Sequence, residues 1–197
     1  MWIWKNKAEI RKFVWDKLTN QKIARFPFPI YGRIPNFIGS DIAAQKIRTL
    51  PNYKKSSCIF TGPDFALKAL RDLILSDGKV LAYATPHMKE FKMLKGNYNT
   101  NTTIRNLSRF GERLAMDVDF AVVGSVAVDL KGNRIGKGSG YGDREIKFIQ
   151  KKFKSKYFLA GTLVHSSQVF ENFNHLKEPH DEKIKFILTE KELIKLE

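Results

Sequence analysis

The sequence predicts an α/β layered fold. Three observations carry that reading: short runs rich in β-branched and aromatic residues, helical patterns alternating with them, and a glycine-rich loop between a buried run and a helix start. The chain has 197 residues, 43% of them hydrophobic, which suffices for a substantial core. One domain over residues 1–197 is the most economical organisation, because no Pro/Ser/Gly-rich or single-charge run separates two hydrophobic halves.

Residues 6 to 19 place Ile10, Phe13, Val14 and Leu18 at helical spacing with Lys and Arg on the other face, which predicts an amphipathic opening helix. Arg25-Phe26-Pro27-Phe28-Pro29 and Gly32-Arg33-Ile34-Pro35 then read as an extended, proline-punctuated segment. Ser40 is placed to cap a second helix running to Leu50, and Pro63-Asp64 to open a third that ends near Ser76 and is closed by Asp77-Gly78. Strands are expected at Val80 to Thr85, Phe120 to Val128, Tyr157 to Val164 and Ile184 to Thr189. Gly96 to Thr103 is polar and turn-prone and reads as a mobile surface loop.

Thirty-five Lys and Arg against twenty Asp and Glu leave a formal charge of +15, a field that attracts phosphates, anionic cofactors or nucleic acid without choosing among them. The excess gathers at Lys5, Lys7, Arg11, Lys12, Lys17, Lys22 and Arg25, and again from Lys147 to Lys156, each cluster on a helical pattern. For a single lysine there, a solvated helix face is the simpler explanation. Cys58 is the only cysteine, so intrachain disulfides and thiolate metal clusters are excluded and a reducing cytoplasm fits. Met1 to Lys5 has no apolar core of the kind a secretory signal needs, and the uncharged run Tyr157 to Phe170 falls short of the ~20 residues of a spanning helix. The expectation is a soluble cytoplasmic protein.

The most informative segment starts from the apolar run ending at Asp129 and continues through Gly132-Asn-Arg-Ile-Gly-Lys-Gly-Ser-Gly-Tyr-Gly-Asp143 into a helical pattern. Strand, glycine loop and helix start together make an anion cradle, since glycines let backbone amides approach a ligand. Arg134 and Lys137 add positive side chains, and Asp143 is placed either to cap the helix or to hold a hydrated magnesium ion. The spacing is neither that of a P-loop nor that of a dinucleotide fingerprint. On glycine count alone, a plain tight turn stands level with a phosphate site.

The stretch Gly132 to Asp143 resembles the signature of the 5-formyltetrahydrofolate cyclo-ligase family, also called methenyltetrahydrofolate synthetase. Lys7-Ala-Glu-Ile-Arg11 is similar to the family's N-terminal Lys-x-x-x-Arg. Ile34-Pro-Asn-Phe-Ile-Gly39 with Ala43-Ala44 resembles the branch of synthetase-domain-containing proteins, and Asp77 to Pro86 and Glu178-Pro-His-Asp181 also fit. The resemblance implies a three-layer α/β/α sandwich with a mostly parallel central sheet, like that of NagB, RpiA and CoA transferases. It implies ATP and Mg2+ as cosubstrates and a formylated reduced folate as partner, closed to its 5,10-methenyl form. Carried residue by residue, it assigns Lys7 and Arg11 to phosphate contacts, Arg134, Gly136, Lys137, Gly138 and Gly140 to the cradle, Tyr141 to nucleotide positioning and Asp143 to the metal. The chain departs from the family at Tyr141-Gly142, where confirmed cyclo-ligases carry a Tyr-Tyr or similar pair.

That chemistry suits these residue types. A formamide oxygen is a poor leaving group and must be phosphorylated before N10 attacks, and phosphoryl transfer asks mainly for positioning and charge neutralisation. His87, beside Pro86 at a strand end, is placed to face a ligand pocket. His180-Asp181 reads equally well as a turn or as part of the site, and Trp2, Trp4 and Trp15 as packing residues. Two rivals remain: a nucleic-acid-binding protein on this scaffold, motivated by the charge and fifteen phenylalanines, and an ATP-dependent enzyme with a non-folate substrate.

Overall fold

Strands buried on both faces need helices on either side, and this chain supplies them around one eight-stranded sheet. The structure is a computed structural model and describes residues 4–96, 102–118, 120–153 and 158–196. In chain order the strands are β1 (Ala24–Arg25), β2 (Asn36–Phe37), β3 (Cys58–Thr61), β4 (Val80–Ala84), β5 (Phe91–Leu94), β6 (Glu112–Arg113) and β7 (Phe120–Gly124). They continue as β8 (Ala127–Asp129), β9 (Arg134–Ile135), β10 (Leu159–Leu163), β11 (Val169–Phe170), β12 (Phe186–Leu188) and β13 (Leu193–Lys195). The α-helices are α1 (Lys7–Asn20), α2 (Ser40–Gln45), α3 (Pro51–Lys55), α4 (Lys68–Ser76), α5 (Ile104–Phe110) and α6 (Tyr141–Phe153).

Across the large sheet the order is β13-β12-β10-β7-β3-β4-β5-β6. The five strands from β12 to β4 run parallel, and antiparallel neighbours extend both edges. Side-chain alternation assigns the layers. Ile59, Leu81, Tyr83, Phe120 and Val122 pack with Ala43 and Ala44 of α2, Tyr53 of α3, and Leu70 and Ile74 of α4. Phe60, Ala82, Ala121 and Val123 point the other way, into the cluster that holds Ile146 and Ile149 of α6. This is the three-layer α/β/α sandwich with a mostly parallel sheet. A smaller sheet, ordered β11-β8-β9, lies apart from it, and α1 packs Ile10, Val14 and Leu18 into a third cluster with Ala127 and Ile135 of that sheet.

Several sequence expectations change in detail. Phe120 to Val128 is two strands, because the chain leaves the large sheet after Gly124 and re-enters pairing as β8 in the small one. The helix expected from Ser40 to Leu50 is six α-helical residues followed by a 3₁₀ turn at Lys46–Thr49. Its cap is Gly39 at φ 86°, with Ser40 already inside the helix. The helix expected from Pro63 opens as a 3₁₀ turn at Phe65–Leu67 before α4 begins. The central strand β3 has no counterpart in the sequence reading, although Cys58-Ile-Phe-Thr61 is an apolar run buried on both faces between Ser57 and Gly62. Residues 97–101 of the expected loop at Gly96 to Thr103 lie outside the described residues. Among the described residues no helix is long and apolar enough to cross a membrane.

Gly161 in β10 is paired on one side with Val122 and on the other with Phe186. A Cβ at Gly161 would come within 2.1 Å of the Phe186 ring, itself buried against Phe120. Gly161→Ala is expected to cost about 1–3 kcal/mol through overpacking, read as a lower urea midpoint at unchanged m. An unchanged midpoint would show that the ring has room to move.

Candidate functional site

The order of the large sheet reverses between β3 and β7: β4 follows on one side, β10 on the other. Such a switch point opens a crevice beyond the carboxyl ends of the strands. Here it is a cavity of about 330 Å³ reached by Pro63 and Asp64 after β3, Gly124 after β7, and Thr85, Pro86 and His87 after β4. The opposite wall is the loop from Arg134 to Asp143, and Lys7 and Arg11 of α1 join it.

The loop is shaped by Arg134. Its side chain is 2% exposed and runs beneath the start of α6, where Nη1 donates to the Gly124 carbonyl at 2.9 Å and Nη2 pairs with Asp143 Oδ2 at 2.8 Å. A Cβ at Gly142 would lie 2.7 Å from that guanidinium, so a larger residue there would require the buried side chain to shift. Gly138 and Gly140 adopt φ of 110° and 68°, conformations that other residues rarely reach, and the loop turns there into α6. The residues assigned to the cradle, Arg134, Gly136, Lys137, Gly138 and Gly140, all line the cavity, as does Tyr141, assigned to nucleotide positioning. Gly132, where the glycine-rich stretch begins, instead belongs to the β8–β9 turn beside Ile184.

The N-terminal basic pair reaches the same cavity from a distant point in the sequence. Arg11 Nε donates to the Gly136 carbonyl at 2.7 Å. Lys7 Nζ sits between Glu178 at 2.5 Å and Asp181 at 2.6 Å, which brings Glu178-Pro-His-Asp181 into the site. Asp143 uses its second oxygen to accept the Glu182 amide at 3.2 Å. Ligand atoms of Glu178, His180 and Asp181 lie within 4.8 Å of one another, a grouping of oxygen and nitrogen donors beside the loop. His87 hydrogen-bonds Tyr141 Oη through Nδ1 at 2.9 Å, and both His87 and Met88 have positive φ, 59° and 54°. Two successive non-glycine residues in that region are strained, which is typical of positions held for a function.

Asp64, read from the sequence as a helix opener, and Arg71 and Glu145 were not assigned to the site by the sequence. Asp64 pairs with Lys137 at 3.1 Å, and its backbone carbonyl accepts Arg71 Nη1 at 2.9 Å, as does that of Gly62. Arg71 is fully buried, and burial pulls its pKa down to about 10. Glu145 is 4% exposed, lines the cavity, and receives no hydrogen bond from any described residue. Burial first, then the charge of Asp64, push its carboxyl up to about 8 against the pull of Arg134 and Lys137. Its i,i+4 spacing from Ile149, on the buried face of α6, was the available signal for it.

The model of the 5-formyltetrahydrofolate cyclo-ligase family matches residues 4–190. The chain belongs to that family. The methenyltetrahydrofolate synthase domain-containing protein of Homo sapiens is 35% identical over 198 residues, covering 93% of this chain and 52% of that protein. The Danio rerio protein of the same description is 32% identical, over 97% of this chain and 54% of its own length. This chain thus spans about half the length of these relatives. The NMR structure of Aquifex aeolicus 5,10-methenyltetrahydrofolate synthetase superposes with a TM-score of 0.64 at 26% identity, covering 96% of this chain and 92% of that one. The 5,10-methenyltetrahydrofolate synthetase of Mycoplasma pneumoniae shares the fold at TM-score 0.56 and 13% identity, over 92% of this chain and 97% of its own. Within the cyclo-ligase family frame, the cavity at the switch point is the place where the chain's glycine loop, basic pair and acidic segment converge.

The raised carboxyl of Glu145 has a stability consequence with a definite sign. Below about pH 4.5, its ordinary value, the group is protonated in both states and costs nothing. Between there and about 8 the unfolded chain gives up a proton that the folded chain keeps, so this group's contribution falls as pH rises. Glu145→Gln, neutral throughout, should gain stability relative to the parent between about pH 5 and pH 8, on the order of 2–4 kcal/mol. Urea unfolding at both ends of that range checks it. A difference that stays constant with pH would remove Glu145 as the source.

Proposed function

We propose that residues 1–197 act as one domain that binds ATP with Mg2+ in this cavity and closes an N5-formyl reduced folate to its 5,10-methenyl form, releasing ADP and phosphate. The observation that carries this reading is the convergence of Arg11, Lys7 and Lys137 on a loop whose glycines leave room for an anion. The fit to a phosphate group rests on that loop. A Cβ on Gly138 would stand 3.7 Å from the Arg11 guanidinium, and the loop runs directly into the N-terminal turn of α6, the end of a helix that favours anions. The fit to magnesium rests on hard oxygen donors, with Asp143 at the helix start as the assigned ligand and Asp181 lining the same cavity.

In the reaction the formyl oxygen accepts the terminal phosphoryl group of ATP, N10 attacks the formyl carbon and loses its proton, and phosphate leaves carrying the former formyl oxygen. Magnesium supplies charge neutralisation at the phosphates. The chain's own side chains do the positioning. Lys137 exchanges Asp64 for a phosphate oxygen, Arg11 fixes the loop through the Gly136 carbonyl, and Tyr141 braces the nucleotide side through its contact with His87. Arg134 holds Asp143 in place instead of meeting phosphate directly, since its guanidinium is committed to Gly124 and Asp143. No side-chain nucleophile is required. We place this activity in the cytoplasm, in keeping with a sequence whose single cysteine, Cys58, leaves no intrachain disulfide to form.

The decisive experiment incubates the protein with 5-formyltetrahydrofolate and MgATP and follows methenyl absorbance together with ADP. Both should appear, in equal amounts, and only when all three components are present. Lys137→Ala should weaken ATP binding by about 1.5–3 kcal/mol in calorimetry, the value of a charge-assisted hydrogen bond. ADP release without methenyl product would overturn the folate assignment, and unchanged ATP affinity in the folded variant would overturn the placement of the phosphates.

A further inference from the structure

At the floor of the cavity the chain presents acceptors where its walls elsewhere present cations. Glu145 projects from α6 and Asp64 from the turn after β3. Glu145 Oε2 and Asp64 Oδ2 each lie 3.7 Å from the position a side chain on Gly62 would take, so the two carboxyls border one small space. Asp64 gives Oδ1 to Lys137, and no described residue donates to its Oδ2 or to Glu145. Leaving a carboxyl buried at 4% exposure without a donor costs free energy. A group kept at that cost is commonly completed by a ligand.

The surroundings narrow what that ligand presents. Ile34, Pro63, Met88 and Ile104 give the same cavity apolar walls, suited to the faces of a planar ring. A phosphate or carboxylate would be repelled by Asp64 and drawn to Lys7, Arg11 and Lys137 instead. A ring edge bearing two adjacent N–H groups matches a carboxylate in geometry and charge. Adenine offers only one such donor beside an acceptor nitrogen. A 2-amino-4-oxopyrimidine ring offers two, its ring N–H and its 2-amino group.

We propose that Glu145, with Asp64 beside it, is the specificity-determining acceptor for the 2-amino and ring N–H edge of an aminopyrimidinone, seating the pterin ring of the substrate with its formyl side toward the glycine loop. This rests on the folate reading above and adds to it a residue that fixes which way round the substrate lies. Arg71 serves the same site as a positioning residue, since its two bonds to the Gly62 and Asp64 carbonyls set the turn that carries Asp64.

The test is a ligand-by-protein comparison read by equilibrium binding. With Mg2+ and a non-hydrolysable ATP analogue present, calorimetry compares 5-formyltetrahydrofolate with its 2-desamino analogue on the parent protein and on Glu145→Gln. On the parent, loss of the amino group should raise Kd about 10- to 100-fold, the span of one hydrogen bond whose loss leaves a buried carboxyl unpaired. On Glu145→Gln the two ligands should bind within about 3-fold of each other. Circular dichroism reports whether the variant folds, and Asp64→Asn carries the same comparison where it does not. A full amino-group dependence that persists in the variants overturns the proposal while leaving the folate reading intact. A parent protein that binds neither pterin overturns the folate reading and this assignment with it. GTP and ITP, whose bases differ by the same amino group, form a second pair. Amino-group dependence confined to that pair would transfer the edge to a purine and overturn the pterin assignment.

Discussion

The buried ion pair between Arg134 and Asp143 is the contact on which the site's geometry depends. One guanidinium, extending from β9, ties the end of β7 through the Gly124 carbonyl and the first turn of α6 through Asp143. Its two anchors belong to different layers, so their separation fixes how far the glycine loop stands from the strand ends. Desolvation makes such a pair weak evidence for stability, yet removing one partner strands a buried charge at a cost of about 3–5 kcal/mol. The pair is therefore better understood as a positional device. Its demand on sequence is visible at Gly142, where an added Cβ would stand 2.7 Å from the guanidinium and force the buried pair to shift.

The rest of the cavity is organised by cations that already have partners. Lys7 is held by Glu178 and Asp181, and Lys137 by Asp64. An anion entering the site competes with carboxylates for these ammonium groups, so its binding energy is a difference between two charge-assisted contacts. The exchange has a second effect. If Lys137 turns to a phosphate, as proposed, Asp64 loses its partner beside Glu145, and the floor of the cavity becomes more negative as its walls are neutralised. Anion binding at the loop and donor binding at the floor then favour each other, and by linkage the coupling is the same in both directions.

Much of this architecture was legible from sequence because it rests on periodicity and on glycine chemistry. Ile10, Val14 and Leu18 announce α1 by their spacing, Asp77-Gly78 marks the end of α4, and β4, β10 and β12 fall within the runs expected of them. The loop from Gly136 to Gly140, expected from its glycines to cradle an anion, lines the cavity together with Tyr141. What escaped has identifiable causes. The break between β7 and β8 carries no proline and only one glycine, because the chain changes sheets there under tertiary contacts: Ile34 packs over Gly124, and Ser125 Oγ bonds Thr162 Oγ1 at 2.7 Å. Glu145 reads as one more charge on a polar helix, and its burial follows from strands that arrive from elsewhere in the chain.

The turn after β4 shows the same limit from the other side. His87 and Met88 both occupy left-handed backbone, a conformation for which sequence signals glycine or asparagine, and neither is present. Each such residue costs on the order of 1–3 kcal/mol and persists only when its surroundings over-determine it. Here the compensation is local: the His87 ring bonds Tyr141 at 2.9 Å, and the Arg144 guanidinium stacks over that same tyrosine at 4.4 Å. Strain at the end of β4 is thereby converted into a brace on the first residue of α6. Arg134 secures the first turn of that helix from below and His87 secures it from the rim, so the helix start that faces the loop is held at two points by residues that local pattern would not have joined.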